Sequence, residues 1–183
     1  MRRYRQWGAA VAPLLLALLS LPRSAQGQVA VRDTSPLSFS GVPAGTSLDG
    51  LSETIRRAGG ARLRCVRSRQ DRSVQECRGS LTVSYGVAPV EIWLSAVDSL
   101  AGIITFQQTG SSTGLDRWRN DLEQRYGMVP TQVQGAQRMK QWVRQGRMIR
   151  LTWRREAGGT TVSVSLVDGR VLDGWGEKQK REQ

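Results

Sequence analysis

The chain has 183 residues, with 27 Lys and Arg against 15 Asp and Glu, a formal net charge of +12 and no histidine. The lack of histidine excludes Ser-His-Asp and Cys-His nucleophiles, histidine acid-base steps and His-ligated zinc. No glycine-rich stretch has the spacing of a phosphate-binding loop, and the acidic residues are scattered. The sequence therefore predicts no enzymatic activity, no cofactor and no metal site.

Residues 1–27 have the pattern of a secretory signal peptide. Arg2, Arg3 and Arg5 form a basic start, and the segment Gly8–Leu21 is nearly all apolar. Small residues then occupy the two positions that a signal peptidase reads in Ala25–Gly27. The apolar run is shorter than the roughly 20 residues that cross a bilayer. We expect a periplasmic or extracellular protein whose mature chain has no transmembrane segment.

Cys65 and Cys77 are the only cysteines, and we predict that they form a disulfide. Export to an oxidising compartment favours this bond. The closed loop would contribute about 3 kcal/mol to the free energy of unfolding. A metal site or a catalytic thiol is the alternative, but two cysteines without histidine provide only half of a zinc site.

The rest of the chain predicts one α+β domain over residues 37–176, preceded by a flexible arm at 28–36. Alternating apolar and polar residues predict the strands of an antiparallel sheet. The tail at 177–183 is charged, and we expect it to be disordered. The predicted strands cover residues 37–40, 62–69, 73–78, 81–85, 90–94, 100–107, 138–144, 147–154 and 161–167, with a short edge strand at 171–172.

Two amphipathic helices are predicted to pack on this sheet. The first runs from Ser47 to Ala58 and ends at two glycines, and the second spans residues 112–127. Four apolar residues share one face of the second helix at spacings of three, four and four: Leu115, Trp118, Leu122 and Tyr126. Because the helices align with each other and strands follow both, a duplicated helix-strand-strand unit is one interpretation.

The segment Gly45–Asp49 with Leu51, and the segment Leu122–Pro130 with its Tyr126–Gly127 end, resemble parts of known exported proteins. These are small bacterial domains of the beta-lactamase inhibitor protein type and the SmpA/OmlA family of outer-membrane assembly lipoproteins. The resemblance implies a scaffold that binds other proteins rather than an enzyme. The chain lacks the lipidated cysteine of the lipoproteins, so membrane tethering is not implied, and no functional residue of either family maps onto it.

The basic residues fall into two clusters, at 56–78 and 138–155. On strands, alternation would line several of them along a solvent-facing sheet surface together with Trp142. Such a surface can bind carboxylate, sulfate or phosphate groups. A polar surface that only keeps the protein soluble remains the alternative. The candidate anion-binding residues are Arg62, Arg64, Arg138, Lys140, Arg144, Arg150 and Arg154.

Together these patterns predict an exported, non-catalytic binding or structural module that engages a protein partner of the cell envelope. The alternative is an electrostatic binder of anionic lipid or polysaccharide that uses an arginine-rich sheet face. Export makes nucleic acid an unfavoured partner. Trp118 and Trp153 are interpreted as core residues rather than as ligand platforms.

Overall fold

The structure, a computed structural model, describes residues 36–81, 89–110 and 112–182. The predicted signal peptide, nearly all of the arm at 28–36 and most of the predicted strand at 81–85 lie outside these ranges. The elements, in chain order, are β1 (Ser38–Phe39), β2 (Val42–Pro43), α1 (Leu48–Arg57), β3 (Arg64–Arg67), β4 (Val74–Leu81), β5 (Val90–Val97), β6 (Leu100–Gly110), α2 (Ser112–Tyr126), β7 (Gln132–Gln134), β8 (Gln137–Arg144), β9 (Arg147–Glu156), β10 (Gly159–Asp168) and α3 (Gly169–Glu182).

Within the described residues, eight strands form one antiparallel sheet in the order β3-β4-β5-β6-β10-β9-β8-β7. Each of two helices precedes a four-stranded meander: α1 precedes β3 to β6, and α2 precedes β7 to β10. The two meanders meet where β6 pairs with β10, from Gly110 opposite Thr160 to Ile103 opposite Val167. The α+β class is confirmed.

The hydrophobic core lies on one face of this sheet, which we call the closed face. Helix α1 buries Leu51 and Ile55 against the sheet. Helix α2 buries Leu115, Trp118 and Leu122. The hairpin β1–β2 inserts Phe39 into this core. The centroid of its ring lies 5.2 Å from that of Phe106 and 5.0 Å from that of Trp118, both in edge-on geometry. The closed-face strand residues in this core include Ile92, Leu94, Ile104, Phe106, Val162, Val164, Leu166, Ile149 and Leu151.

Cys65 and Cys77 lie opposite each other in the β3–β4 pair and form a disulfide, as predicted. Cys77 is buried, whereas Cys65 lies on the exposed edge strand of the sheet. The bond therefore joins an exposed edge strand, none of whose residues is buried, to the core. Its stabilisation comes from restricting the unfolded chain rather than from new contacts.

The buried carboxylate of Asp168, at the end of β10, contacts the segment that follows the β1–β2 hairpin. Arg147 donates to this carboxylate at 2.8 Å, and Arg170 adds a second ion pair at 3.0 Å. Gly45 lies against the same carboxylate with φ +77°, and a Cβ atom at this position would collide with it. Only glycine suits this contact, because both the backbone angle and the available space exclude a side chain.

A third helix, α3, replaces the edge strand expected at 171–172 and the disordered tail expected from 177. Leu172 packs over Gly102, where a Cβ atom would come within 2.7 Å of the leucine side chain. Trp175 and Gln179 donate to one oxygen of Asp71 in the β3–β4 loop, at 2.7 and 2.8 Å. These contacts with distant segments hold the charged sequence as a helix. No helix in the described ranges is both long enough and apolar enough to cross a membrane.

We expect Trp118→Ala to lower the free energy of unfolding by about 3–5 kcal/mol, because it removes a buried indole and leaves a cavity beside Phe39. Urea denaturation of the purified protein measures this change. Trp93→Ala is the matched control, since Trp93 is 46% exposed on the other face of the sheet. Equal losses for the two variants would contradict the placement of Trp118 in the core.

We expect the contact between α3 and Asp71 to weaken only at strongly acidic pH. Hydrogen bonds from Ser73, and then from Trp175, lower the pKa of the Asp71 carboxyl below its ordinary value. The carboxylate therefore stabilises the docked helix fully above the unfolded pKa of about 3.9, and this contribution is lost as pH falls through the lower folded pKa. The indole N–H resonance of Trp175, followed by NMR from pH 6 to pH 2, reports the transition.

Asp71→Asn should abolish this transition, because the neutral amide does not titrate. Asp98→Asn is the control, since the exposed carboxylate of Asp98, in the β5–β6 turn, has within the described ranges only one long ion pair, with Lys178 at 3.8 Å. A transition at or above pH 3.9 in the unmodified protein would contradict the prediction.

Candidate functional site

The structure separates the seven predicted anion-binding residues instead of gathering them on one surface. Arg62 and Arg64 lie at the β3 edge, and the other five lie on β8 and β9 in the opposite half of the sheet. Within that half, Arg138, Lys140 and Arg144 lie on the closed face. Arg150 and Arg154 lie on the opposite face. The seven residues therefore do not share one face, although Arg64, Arg150 and Arg154 lie on the same one.

Strand β8 is inverted relative to the prediction, and Trp142 and Lys140 do not face solvent. Trp142 is buried opposite Ile149, and Lys140 is buried opposite Leu151, both on the closed face. The more apolar set on β8 points the other way, and Val143 is 62% exposed. Lys140 and Trp142 point to the closed face because carbonyl groups at and beyond the end of α2 need hydrogen-bond donors. Leucine or valine side chains cannot supply them.

Three alternate residues of β8 donate hydrogen bonds to the last residue of α2 and to the segment that follows it. Lys140 donates to the carbonyl of Val129 at 2.6 Å, Trp142 to that of Gly127 at 2.8 Å, and Arg144 to that of Tyr126 at 3.2 Å. Two cations at a helix C-terminus also oppose the negative end of its dipole. Lys140 and Arg144 thus have a structural explanation in this fold, and Lys140 is in addition paired with Glu123 at 2.8 Å.

We expect Lys140→Met to destabilise the fold by about 3–5 kcal/mol, because it leaves the largely buried Glu123 without its cation. The double variant Lys140→Met/Glu123→Gln should recover much of this loss, since no lone charge remains. Urea denaturation of both single variants and the double variant gives the free energies of unfolding for this double-mutant cycle. Additive losses without coupling would contradict a buried ion pair.

The other face of the sheet, which we call the open face, carries a continuous set of polar side chains. Hydroxyl groups on neighbouring strands bond to each other at Thr105–Ser165 (3.0 Å), Thr109–Thr161 (3.2 Å) and Thr152–Ser163 (2.6 Å). None of the open-face residues that follow is buried. They are Arg64, Val66, Glu76, Arg78, Ser80, Glu91, Trp93, Ser95, Ile103, Thr105, Gln107, Thr109, Thr161, Ser163, Ser165, Arg150, Thr152, Arg154, Glu156, Met139 and Gln141.

Both predicted arginines of the open face on β9 already have partners. Arg150 donates to Gln141 Oε1 at 3.0 and 3.2 Å, and Arg154 pairs with Glu156. On the β4–β5 side of the same face, the Arg78 guanidinium lies 5.7 Å from the ring of the exposed Trp93. The open face therefore combines ordered polar groups with one accessible aromatic side chain.

A cleft of about 700 Å³ opens on the closed-face side, between the first turns of α2 and strands β7 to β9. We call it the α2–β7 cleft. Its walls include Leu115 and Arg119 from the helix and Val133, Arg138, Trp153 and Arg155 from the strands. Of the seven predicted residues, only Arg138 lies here.

Sequence reasoning missed the α2–β7 cleft because it placed Arg154, rather than Arg155, among the binding residues. These neighbours point to opposite faces of β9, so only one of them can line the cleft. Trp153 does pack against the core as expected, but it is only partly buried and also forms part of the cleft wall. Strand β7 was not predicted either, because three residues with a single apolar side chain are too short to show an alternating pattern.

The described residues contain no cluster of three or more His, Cys, Asp or Glu side chains arranged to hold a metal ion. Comparison of the chain with models of protein families, with characterised proteins and with solved structures gave no significant match.

Proposed function

We propose that this protein is an exported, non-catalytic module that binds a protein partner of the cell envelope through its open face. The observation that carries the proposal is the extent and order of that face. Eight strands spaced by about 4.8 Å make it about 34 Å wide. This width accommodates the roughly 800 Å² that each partner contributes to a standard protein interface.

The side chains of the open face are held in place before any partner arrives. The hydroxyl pairs across β6, β10 and β9, and the Arg150–Gln141 pair, restrict the rotation of these side chains. Ordering a flexible interface side chain costs about 0.5–1.5 kcal/mol on binding. A preorganised surface avoids much of this cost, which supports a role in recognition.

The charge balance of the open face favours a protein over a polyanion. Among the described residues, four arginines lie on it together with three glutamates, and Arg154 forms an ion pair with Glu156. A polysaccharide or lipid surface would meet nearly as many repulsive as attractive groups. A protein can match both signs, and Trp93 beside Arg78 offers the aromatic and arginine contacts that often dominate protein interfaces.

We also propose that the chain is exported and that its two halves arose by duplication. The Cys65–Cys77 disulfide supports export, because thiols stay reduced in the cytosol. The repeated order of one helix followed by four antiparallel strands supports duplication.

The test is a crosslinked pull-down from native cell envelope with the tagged protein lacking residues 1–27, washed at low and at high salt. Ser163→Arg places a long cation in the middle of the open face and should abolish capture of the partner. Gln124→Arg adds the same charge on the exposed outer side of α2 and should leave capture intact. Melting temperatures of both variants establish that they remain folded.

One protein that survives high salt, is lost with Ser163→Arg and is retained with Gln124→Arg is the expected result. Recovery of only lipid or polysaccharide, released by salt, would instead favour the electrostatic alternative, because screening lengths shrink from about 10 Å at 0.1 M to about 3 Å at 1 M. A partner captured equally by both variants would contradict the use of the open face.

A further inference from the structure

Two arginines of the α2–β7 cleft are charged groups without a partner. In the described ranges, neither Arg138 nor Arg155 forms a hydrogen bond or an ion pair, whereas most other arginines on β8 and β9 do. Both guanidinium groups are exposed and border the same cleft. They are therefore available to an anion without first breaking a contact inside the protein.

The strand register places these two arginines close to each other. Arg138 lies directly opposite Trp153 in the β8–β9 pair, and Arg155 follows Trp153 by two residues on the same face. Such diagonal neighbours are about 7–8 Å apart. Both guanidinium groups can therefore reach one oxyanion held between them, beside the indole of Trp153.

The rest of the lining is positive and partly apolar. The walls carry three arginines and one acid, and that acid, Asp116, is paired with Arg119 at 2.8 Å. The first turn of α2 borders the cleft at Ser112, so the positive end of the helix dipole lies there too. Leu115, Val133 and Trp153 supply apolar surface, and hydroxyl groups of Thr131 and Thr160 complete the walls.

We propose that the α2–β7 cleft binds an anionic sugar, in which Arg138 and Arg155 hold the carboxylate or phosphate and Trp153 lies against the ring. The volume falls in the range of about 300–1,000 Å³ that ligand pockets occupy, and it accommodates a disaccharide. A ring with apolar faces and several hydroxyl groups matches the mixture of indole, aliphatic and hydroxyl groups. The cleft lies on the opposite side of the sheet from the open face, so this binding is independent of the protein partner.

Isothermal titration calorimetry tests the proposal with three probes: digalacturonate, glucose 6-phosphate and the neutral disaccharide of galactose. We expect saturable binding of at least one anionic probe, with a perturbed indole N–H resonance of Trp153, and much weaker binding of the neutral disaccharide. The preferred anion identifies the source as a uronate or a sugar phosphate. Arg138→Gln and Arg155→Gln should each lower the affinity about tenfold or more, because each removes a charged hydrogen bond.

Arg57→Gln is the matched control, because it removes the same charge from an exposed position on α1. It should leave the affinity nearly unchanged, and melting temperatures should show all three variants folded. No binding of either anionic sugar at millimolar concentration would overturn the proposal. The proposal would also be overturned if the neutral disaccharide bound with the same affinity as the anionic probes, or if Arg57→Gln lowered the affinity as much as the cleft variants. Either result would show that the two cleft arginines are not the recognition site.

Discussion

The pairing of β6 with β10 is the contact on which the rest of the structure depends. It joins two meanders that each have an exposed edge strand, β3 and β7, and makes one sheet with one core. The side chains of these two strands then alternate between the buried residues of the closed face and the hydroxyl groups of the open face. Every feature with functional interest follows from this arrangement, because the α2–β7 cleft and the open face lie on opposite sides of the same strands.

Strand positions and the buried side of most strands were predictable from the sequence, but the buried side of β8 was not. Alternation over Val162, Val164 and Leu166 identified both β10 and its inward face, because apolar and polar residues separate cleanly there. On β8 the same rule failed, since Lys140 and Trp142 have polar groups that donate to carbonyls just beyond the end of α2. Whether a basic residue points inward depends on acceptors supplied by another element, and local sequence does not reveal them.

The candidate sites were harder to predict than the fold for the same reason. Clusters of arginine in the sequence do not reveal which guanidinium groups are already paired. Arg150 and Arg154 are paired, whereas Arg138 has no partner in the part of the chain that the structure describes. The helix α3 shows a related limit. Its spacing of Leu172 and Trp175 is compatible with a helix, but the partner that fixes Trp175 is Asp71, in a loop far away in the sequence.

The contact between Gly45 and Asp168 has a consequence for the order in which the chain folds. The hairpin that carries Phe39 into the core is among the first parts of the domain to be synthesised, and the carboxylate against which Gly45 rests is among the last. Contacts between such distant positions form late and slow the folding of a domain. During synthesis from the N-terminus, the core therefore remains incomplete until the last strand has emerged. The unfinished meander of β3 to β6 would expose β6 as an unpaired edge during that interval.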